Sequence, residues 1–181
     1  MSRIVLITGG SRSGKSAYAL RLGESLEGPR AFVATSPVTD AEMAQRIERH
    51  RKERAADLWV TIEETVNLPE VIRNAKGVSV ILVDCLTLWI SNLMYEADEQ
   101  GRGFTEDEAS GRCEDLVRAC ECVDGTVIFV TNEVGFGIVP DNPSTRRYRD
   151  LIGRCNQVIA GYADQVTLVV CGLPLVLAKR S

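Results

Sequence analysis

The sequence predicts an α/β domain built around a largely parallel β-sheet. Seven apolar runs rich in β-branched residues are mostly separated by segments with helical character, an alternation typical of parallel sheets. Several of these runs are continuously apolar, as expected of strands covered on both faces. A glycine-rich motif lies between the first apolar run and the first helical segment. The 181 residues fit a single domain, residues 1–181.

The elements follow one another in a regular order. The predicted strands are Ile4–Thr8, Ala31–Thr35, Leu58–Ile62, Val78–Asp84, Thr126–Thr131, Val166–Cys171 and Leu175–Ala178. The predicted helices cover residues 16–26, 40–54, 68–74, 86–96, 106–122 and 144–162. Only 172–174 separate the last two strands, too few residues for a crossover helix, so these strands are expected to form an antiparallel hairpin at the sheet edge.

Several helix starts carry local signals. Thr39 with Glu42, and Thr105 with Glu108, match the capping box, in which a hydroxyl and a carboxylate each accept a hydrogen bond from the other's backbone N–H. Asn67 is predicted to begin the helix over 68–74 in the same manner.

The composition limits the classes of function. A net charge of −4 and a pI near 5.2 provide no basic field, so neither nucleic acid nor an anionic membrane is expected as a partner. We expect no signal peptide, because the first apolar run is short and passes directly into the glycine-rich motif, and no apolar run is long enough to span a bilayer. The six cysteines lack a C-x-x-C pair and there is one histidine, so zinc-ligand spacing is missing. We expect a cytoplasmic protein in which Cys85 and Cys171 are small buried hydrophobes.

Two segments are expected at the protein surface. The polar, glycine-broken residues 98–103 are predicted to be the least ordered part of the chain. Residues 93–95 are expected to form an exposed turn.

The glycine-rich motif matches G-x-x-x-x-G-K-[ST] in its usual setting between a strand and a helix. Its residues are Gly9, Gly10, Ser11, Arg12, Ser13, Gly14, Lys15 and Ser16. Glycines let successive backbone N–H groups face one anion, and the following helix adds its positive N-terminal end. Lys15 is expected to contact the β- and γ-phosphates and Ser16 to ligate Mg²⁺. The alternative, an ordinary strand-to-helix turn, does not require the complete motif, so we predict binding of a nucleoside triphosphate.

A second Mg²⁺ ligand is expected at the end of a neighbouring buried strand. Asp84 directly follows the apolar run Val80–Val83, at the sheet edge where such folds bind ligands. The alternative is that Asp84 caps the helix that begins at Leu86.

The helix predicted over 40–54 contains the only histidine, His50, on the same face as Met43 and Ile47. One interpretation is that His50 ends an apolar stripe and the nearby arginines face solvent. The other interpretation rests on Arg46 and Arg54, which lie four residues before and after His50. Cations disfavour the imidazolium, and guanidinium groups bind phosphate oxygens, so a neutral, nucleophilic imidazole would lie beside a phosphate site.

Polar residues follow two further predicted strands. Residues 131–140, with the sequence TNEVGFGIVP, follow the fifth strand and are expected at the same sheet edge as the glycine-rich motif. They fit either a substrate-binding loop or an ordinary connection. Ala34, Thr35 and Ser36 end the second strand, where the hydroxyls can contact nucleotide or start a turn.

Taken together, these motifs are similar to those of the bifunctional adenosylcobinamide kinase / adenosylcobinamide-phosphate guanylyltransferase family. The matching segments are 8–16, 34–36, Arg46-Ile47 with His50-Arg51, 83–89, Asn92-Leu93, 132–140, Arg149-Asp150, Gly153-Arg154, Asn156-Gln157 and 172–174. The glycine-rich motif at 9–16, a phosphate-binding loop or P-loop, is by itself widespread among proteins. Its combination with R-I-x-x-H-R and N-E-V-G-x-G-I-V-P, in that order, is specific.

The resemblance implies two reactions at one nucleotide site. ATP or GTP would phosphorylate the aminopropanol hydroxyl of adenosylcobinamide. A histidine would then attack the α-phosphate of GTP, and adenosylcobinamide phosphate would accept the resulting GMP to give adenosyl-GDP-cobinamide. The family's nucleophile corresponds to His50.

The resemblance also implies the nucleotide contacts, the fold and the assembly. The contacts correspond to Gly9–Ser16, Ala34, Thr35, Ser36, Arg51, Lys52, Glu53, Arg54, Glu63 and Asp84. The implied fold is a RecA-like P-loop sheet, and the implied assembly is a homotrimer with active sites between subunits. Two alternatives are a P-loop kinase of another small alcohol without guanylyl transfer, and a non-enzymatic, nucleotide-switched binding module.

Overall fold

The computed structural model describes residues 2–37 and 58–179. The strands in these ranges are β1 (Arg3–Gly9), β2 (Arg30–Ala34), β3 (Val60–Glu63), β4 (Val80–Asp84), β5 (Thr126–Val130), β6 (Gln165–Val170) and β7 (Leu173–Lys179). The helices are α1 (Lys15–Glu24), α2 (Leu68–Asn74), α3 (Leu86–Glu99), α4 (Glu106–Cys120) and α5 (Pro143–Tyr162). The sequence-based boundaries of these elements differ from the observed ones by three residues at most. The predicted helix over 40–54 and the Thr39/Glu42 capping box lie outside the described residues.

All seven strands form one sheet in the order β3-β2-β4-β5-β1-β6-β7. The first six in this order are parallel to one another, and β7 pairs antiparallel with β6 at the edge. The predicted largely parallel sheet with an antiparallel edge hairpin is therefore confirmed.

The sheet is covered by helices on both faces. Ile4 and Leu6 of β1 point into a core shared with α2, α3, α4 and α5. Val5 and Ile7 point to the opposite core, where α1 packs. Side chains alternate between faces along a strand, so a strand with two covered faces is apolar at every position. This explains the continuous apolar runs in the sequence.

The hairpin between β6 and β7 turns on two residues, Cys171 and Gly172, with φ angles of 52° and 80°. Positive φ at both central residues is the geometry of the type I′ turns that join twisted antiparallel strands. Leu173 pairs with Val170, so the connection consists of residues 171 and 172 and is one residue shorter than the predicted connection, 172–174. Cys171 is exposed because it lies at the turn, which corrects its expected burial, and Cys85 is half-buried.

The helix starts follow the sequence signals in one case and depart from them in another. The Thr105/Glu108 capping box is confirmed, with the Thr105 N–H donating to Glu108 Oε2 at 2.8 Å. Asn67 occupies the N-cap position of α2, but its side chain makes no capping hydrogen bond. Glu64 Oε1 instead accepts hydrogen bonds from the Val66 and Asn67 N–H groups, each at 2.8 Å.

The segment predicted to be least ordered begins inside a helix, because α3 continues through Glu99. Asp98 accepts a hydrogen bond from Arg147 Nη2 at 2.7 Å, and Arg102 Nη1 donates to Glu108 at 3.0 Å. The expected exposure of residues 93–95, which belong to the helix predicted over 86–96, is only partly correct. These residues are helical, and Leu93 is buried in the core while Tyr95 is exposed.

None of the helices within the described ranges combines the length and the apolar character needed to cross a lipid bilayer.

Candidate nucleotide-binding site

The site lies at the sheet edge where the parallel strands end. Strand register places five residues side by side across that edge, namely Glu63, Ala34, Asp84, Val130 and Ile7. The chain segments that follow these strands therefore leave the sheet on one side. Ligands of open α/β sheets bind in this position.

The glycine-rich motif forms a compact loop between β1 and α1. A Cβ atom on Gly9 would lie 2.5 Å from the Val169 carbonyl oxygen, so no larger residue fits there. Gly14 has a φ of 92°, a conformation that favours glycine. The hairpin turn supports this loop, because the Gly172 N–H donates to the Ser13 carbonyl oxygen at 2.8 Å.

The N-terminus of α1 is open to an anion. Its N-cap residue, Gly14, has no side chain to cap it, and the first turn contains no acidic residue. The first N–H groups of a helix have no intrahelical acceptor, and the helix dipole favours negative charge at this end. The hydroxyls of Thr8 and Ser13 are buried and have no hydrogen-bond partner among the described residues. Phosphate oxygens would accept hydrogen bonds from the free helix N–H groups and from these hydroxyls.

Lys15 lies within this loop, where its Nζ donates to the Gly10 carbonyl oxygen at 3.0 Å. Burial lowers the pKa of Lys15, while the negative charge of Asp84 acts in the opposite direction and raises it. A bound triphosphate would likewise favour the protonated form, because it brings further negative charge close to the ammonium.

Asp84 ends β4 two strands from β1, about 10 Å across the sheet at the usual strand spacing. The N-cap position of α3 is occupied by Cys85, and Asp84 precedes it. No group of three or more histidine, cysteine or acidic side chains that could hold a metal occurs in residues 2–37 and 58–179. One carboxylate and the Ser16 hydroxyl suit Mg²⁺, which commonly takes few protein ligands and completes its shell with water and substrate phosphates.

Of the residues at the end of β2, Thr35 is held in place by several hydrogen bonds. Thr35 is fully buried, and its hydroxyl donates to the Cys85 carbonyl oxygen at 2.8 Å and accepts from the Cys85 N–H at 2.7 Å. Asn92 Nδ2 donates to the Thr35 carbonyl oxygen at 2.9 Å. The Thr35 hydroxyl therefore connects β2 to the end of β4, and a nucleotide contact from Thr35 stays a prediction. Contacts from Ala34 and Ser36 stay predictions.

The loop that follows β5 is joined to the P-loop through its backbone. The Glu133 N–H donates to the Gly9 carbonyl oxygen at 3.1 Å. Asn156 of α5 holds the start of this loop, since its Oδ1 accepts from the Thr131 hydroxyl at 2.7 Å and its Nδ2 donates to the Asn132 carbonyl at 3.0 Å. The expected position of residues 131–140 at the same sheet edge as the glycine-rich motif is confirmed. The sequence alone assigns no role to Glu133 or Asn156, because their hydrogen-bond partners depend on the strand order.

Other predicted site residues are further away or outside the described ranges. Glu63 is exposed at the end of β3, four strands and about 19 Å across the sheet from β1. His50 and the nucleotide contacts predicted at Arg51, Lys52, Glu53 and Arg54 lie outside the described residues. The structure therefore brings together the P-loop, Asp84 and Glu133, with Ala34 and Glu63 further along the same edge.

Residues 5–177 match the family model described as cobinamide kinase / cobinamide phosphate guanyltransferase. The chain belongs to this family. It is 39% identical over 178 residues to the bifunctional adenosylcobalamin biosynthesis protein CobU of Escherichia coli (strain K12), covering 94% of this chain and 97% of that protein. It is 40% identical over 173 residues to the corresponding protein CobP of Pseudomonas aeruginosa, covering 95% of each chain.

The fold is also found in a more distant protein. The crystal structure of the RadB recombinase resembles this chain with a TM-score of 0.50 and 17% sequence identity, over 92% of this chain and 73% of that one. At this identity the likeness concerns the fold alone. It agrees with the RecA-like P-loop architecture that the family resemblance implies. The family members, including this one, are bifunctional enzymes on that architecture, with a kinase and a guanylyltransferase activity.

Proposed function

We propose that the chain catalyses two successive reactions of cobalamin nucleotide-loop assembly. ATP or GTP phosphorylates the aminopropanol hydroxyl of adenosylcobinamide, and GMP from GTP is then transferred to adenosylcobinamide phosphate to give adenosyl-GDP-cobinamide. The observation that carries the proposal is a complete P-loop with an open helix N-terminus at the strand-end edge, in a chain that matches the family model over 5–177. A phosphate-binding loop alone would not distinguish this enzyme from other nucleotide-binding proteins.

The P-loop residues 9–16 bind the phosphates in this proposal. Backbone N–H groups of the loop and of the first turn of α1 donate to phosphate oxygens, and Lys15 exchanges its hydrogen bond to Gly10 for one to the triphosphate. Fixed donors of this kind stabilise the charge that develops on the phosphate oxygens during transfer.

Mg²⁺ would be held by the Ser16 hydroxyl and the Asp84 carboxylate. When bound, it neutralises charge on the phosphate chain. Asp84 suits this role because it ends β4 at the sheet edge where the parallel strands end, and its negative charge opposes the lowering of the Lys15 pKa by burial.

His50 is the proposed nucleophile of guanylyl transfer, and it is the only histidine in the 181 residues. Its neutral ring nitrogen forms a bond to the α-phosphorus of GTP, and the bond from that phosphorus to the bridging oxygen breaks, releasing pyrophosphate. A phosphate oxygen of adenosylcobinamide phosphate then attacks the same phosphorus. The phosphorus–nitrogen bond breaks and the histidine is regenerated. Arg51–Arg54 are proposed to bind the nucleotide beside His50.

The proposed assembly is a homotrimer, as the family resemblance implies. Support comes from β7, an edge strand in which every residue is exposed. Leu173, Leu175 and Leu177 are 72%, 57% and 56% exposed. Contiguous apolar surface of this kind is typical of protein–protein contacts, and a second copy of the chain is the occupant that the assembly requires. We also propose a cytoplasmic location, with support from the six cysteines, all of which are free thiols.

The decisive experiment is the intact mass of the protein after incubation with GTP and Mg²⁺. We expect a GMP adduct, labile in acid and stable in alkali, on the wild-type protein and none on His50→Ala. The His50→Ala variant should retain kinase activity on adenosylcobinamide, whereas Lys15→Ala should lose both reactions. Lys76→Ala, at an exposed position away from the site, is the matched control for the lysine substitution.

The alternatives predict different results. A plain kinase of another small alcohol would form no adduct and release no pyrophosphate while binding GTP. A nucleotide-switched binding module would bind nucleotide tightly, with a turnover that is indifferent to any corrinoid.

A further inference from the structure

We propose that Glu133 is the general base of the kinase reaction. Its carboxylate accepts the proton of the substrate hydroxyl while the hydroxyl oxygen forms a bond to the γ-phosphorus. The bond between that phosphorus and the β,γ-bridging oxygen breaks, the nucleoside diphosphate leaves with the electron pair, and the proton later passes from Glu133 to solvent. This inference rests on the proposed function, because it concerns the alcohol substrate of the first reaction.

The backbone of Glu133 is fixed to the P-loop. Its N–H donates to the carbonyl oxygen of Gly9, the first residue of the loop motif, at 3.1 Å. Two residues earlier, the Thr131 N–H donates to the Ile7 carbonyl oxygen of β1 at 2.9 Å. The segment after β5 thus continues the pairing with β1 beyond the end of the strand and places Glu133 beside the start of the phosphate-binding loop.

The carboxylate of Glu133 has one oxygen in use and one available. Oε1 accepts a hydrogen bond from the Gly135 N–H at 3.0 Å, which orients the side chain within its own loop. Within the described residues, no hydrogen bond is made to Oε2, and the residue is half-buried. A general base needs this combination of a fixed position and a free oxygen that substrate can reach.

Among residues 2–37 and 58–179, the other carboxylates at this edge are less suited to the task. Asp84 is one strand further from β1 and acts electrostatically on Lys15, in keeping with a role at the metal. Glu64 follows β3, four strands away from β1, and its Oε1 accepts from two backbone N–H groups at the start of α2. Glu63 lies at the far edge of the sheet. On the other side of β1, strand β6 ends in the turn Cys171-Gly172, which has no acidic side chain.

The two reactions of the proposed function differ in their need for a base. The alcohol must lose its proton as it attacks, so a positioned base accelerates that step by about 10²–10⁴-fold. The acceptor of the second reaction is a phosphate that is already anionic, and a neutral imidazole nitrogen attacks without losing a proton. Removal of the base should therefore slow the kinase reaction alone.

The test is Glu133→Gln, which removes the proton acceptor but keeps an oxygen that can accept from the Gly135 N–H. We expect kcat for phosphorylation of adenosylcobinamide to fall by about 10²-fold or more, with KM for nucleotide nearly unchanged. GMP-adduct formation, and GMP transfer to adenosylcobinamide phosphate supplied directly, should stay within about twofold of wild type. Glu64→Gln, which keeps the oxygen that accepts from Val66 and Asn67, is the matched control and should behave as wild type in both assays.

Two outcomes would overturn the inference while leaving the proposed function intact. A Glu133→Gln kinase rate within threefold of wild type would exclude a general base, and equal loss of both activities would make Glu133 a positioning residue of the loop. Failure of the wild-type protein itself to phosphorylate adenosylcobinamide would contradict the proposed function, and the role of Glu133 with it.

Discussion

At the scale of single residues, space around the backbone decides which positions of the P-loop tolerate a side chain. A Cβ on Gly9 would meet the Val169 carbonyl oxygen at 2.5 Å and the Ser13 hydroxyl at 2.6 Å. A Cβ on the adjacent Gly10 would meet nothing within 4 Å. In the motif G-x-x-x-x-G-K-[ST], Gly9 is the fixed first glycine and Gly10 a variable position, and the space around the two residues explains this difference.

Gly9→Ala should therefore destabilise the protein, whereas Gly10→Ala should not. We expect a loss of about 1–3 kcal/mol in the free energy of unfolding for Gly9→Ala, since the backbone of two paired strands must move apart. Urea denaturation of both variants without nucleotide measures this difference. Equal stability of the two would show that β1 and β6 separate without cost.

At the scale of elements, helix starts depend on which polar group reaches the free backbone N–H groups. Thr105 fulfils its sequence signal, because its hydroxyl accepts from the Glu108 N–H at 3.2 Å. Asn67 carries a similar signal but makes no capping bond, and Glu64 accepts from the N–H groups there.

Thr105→Ala should consequently cost about 1 kcal/mol of stability, while Asn67→Ala should cost little. The reason is that the first substitution removes an acceptor in use and the second removes a side chain without a capping role. Thermal unfolding of both variants, with Glu64→Ala as a third, separates these contributions. A larger loss for Asn67→Ala than for Thr105→Ala would contradict the hydrogen bonds observed at both helices.

At the scale of the whole molecule, the β6–β7 hairpin has two positions at once. Its outer strand, β7, is the last strand of the sheet, and its turn contacts the P-loop. The turn of that hairpin contacts the loop through the hydrogen bond from the Gly172 N–H to the Ser13 carbonyl. Strand β7, one residue further on, is exposed along its length. An assembly formed through β7 would therefore lie directly beside the nucleotide site.

Leu175→Glu should convert the proposed homotrimer to smaller species, because a charge would replace an apolar side chain that is 57% exposed in the single chain. Light scattering coupled to size-exclusion chromatography measures the mass. Tyr162→Glu is the matched control, since Tyr162 is similarly exposed, at 53%, but lies at the end of α5. A Leu175→Glu protein with the mass of the wild type would remove β7 from the interface.

The sequence by itself determined the order of the strands and helices in residues 2–37 and 58–179, the edge hairpin, the phosphate-binding loop and the family. These features depend on side-chain periodicity and on residues adjacent in the chain, such as Gly14, Lys15 and Ser16, so a local pattern is sufficient to find them.

Only the tertiary structure decided how distant segments use their polar groups. The Thr35 hydroxyl bonds to Cys85, the Glu133 N–H to Gly9, and the Gly172 N–H to Ser13. Each bond joins segments brought together by the strand order β3-β2-β4-β5-β1-β6-β7. A buried polar group must be satisfied by whichever partner the sheet places beside it, and that partner is set by topology rather than by neighbouring residues in the chain.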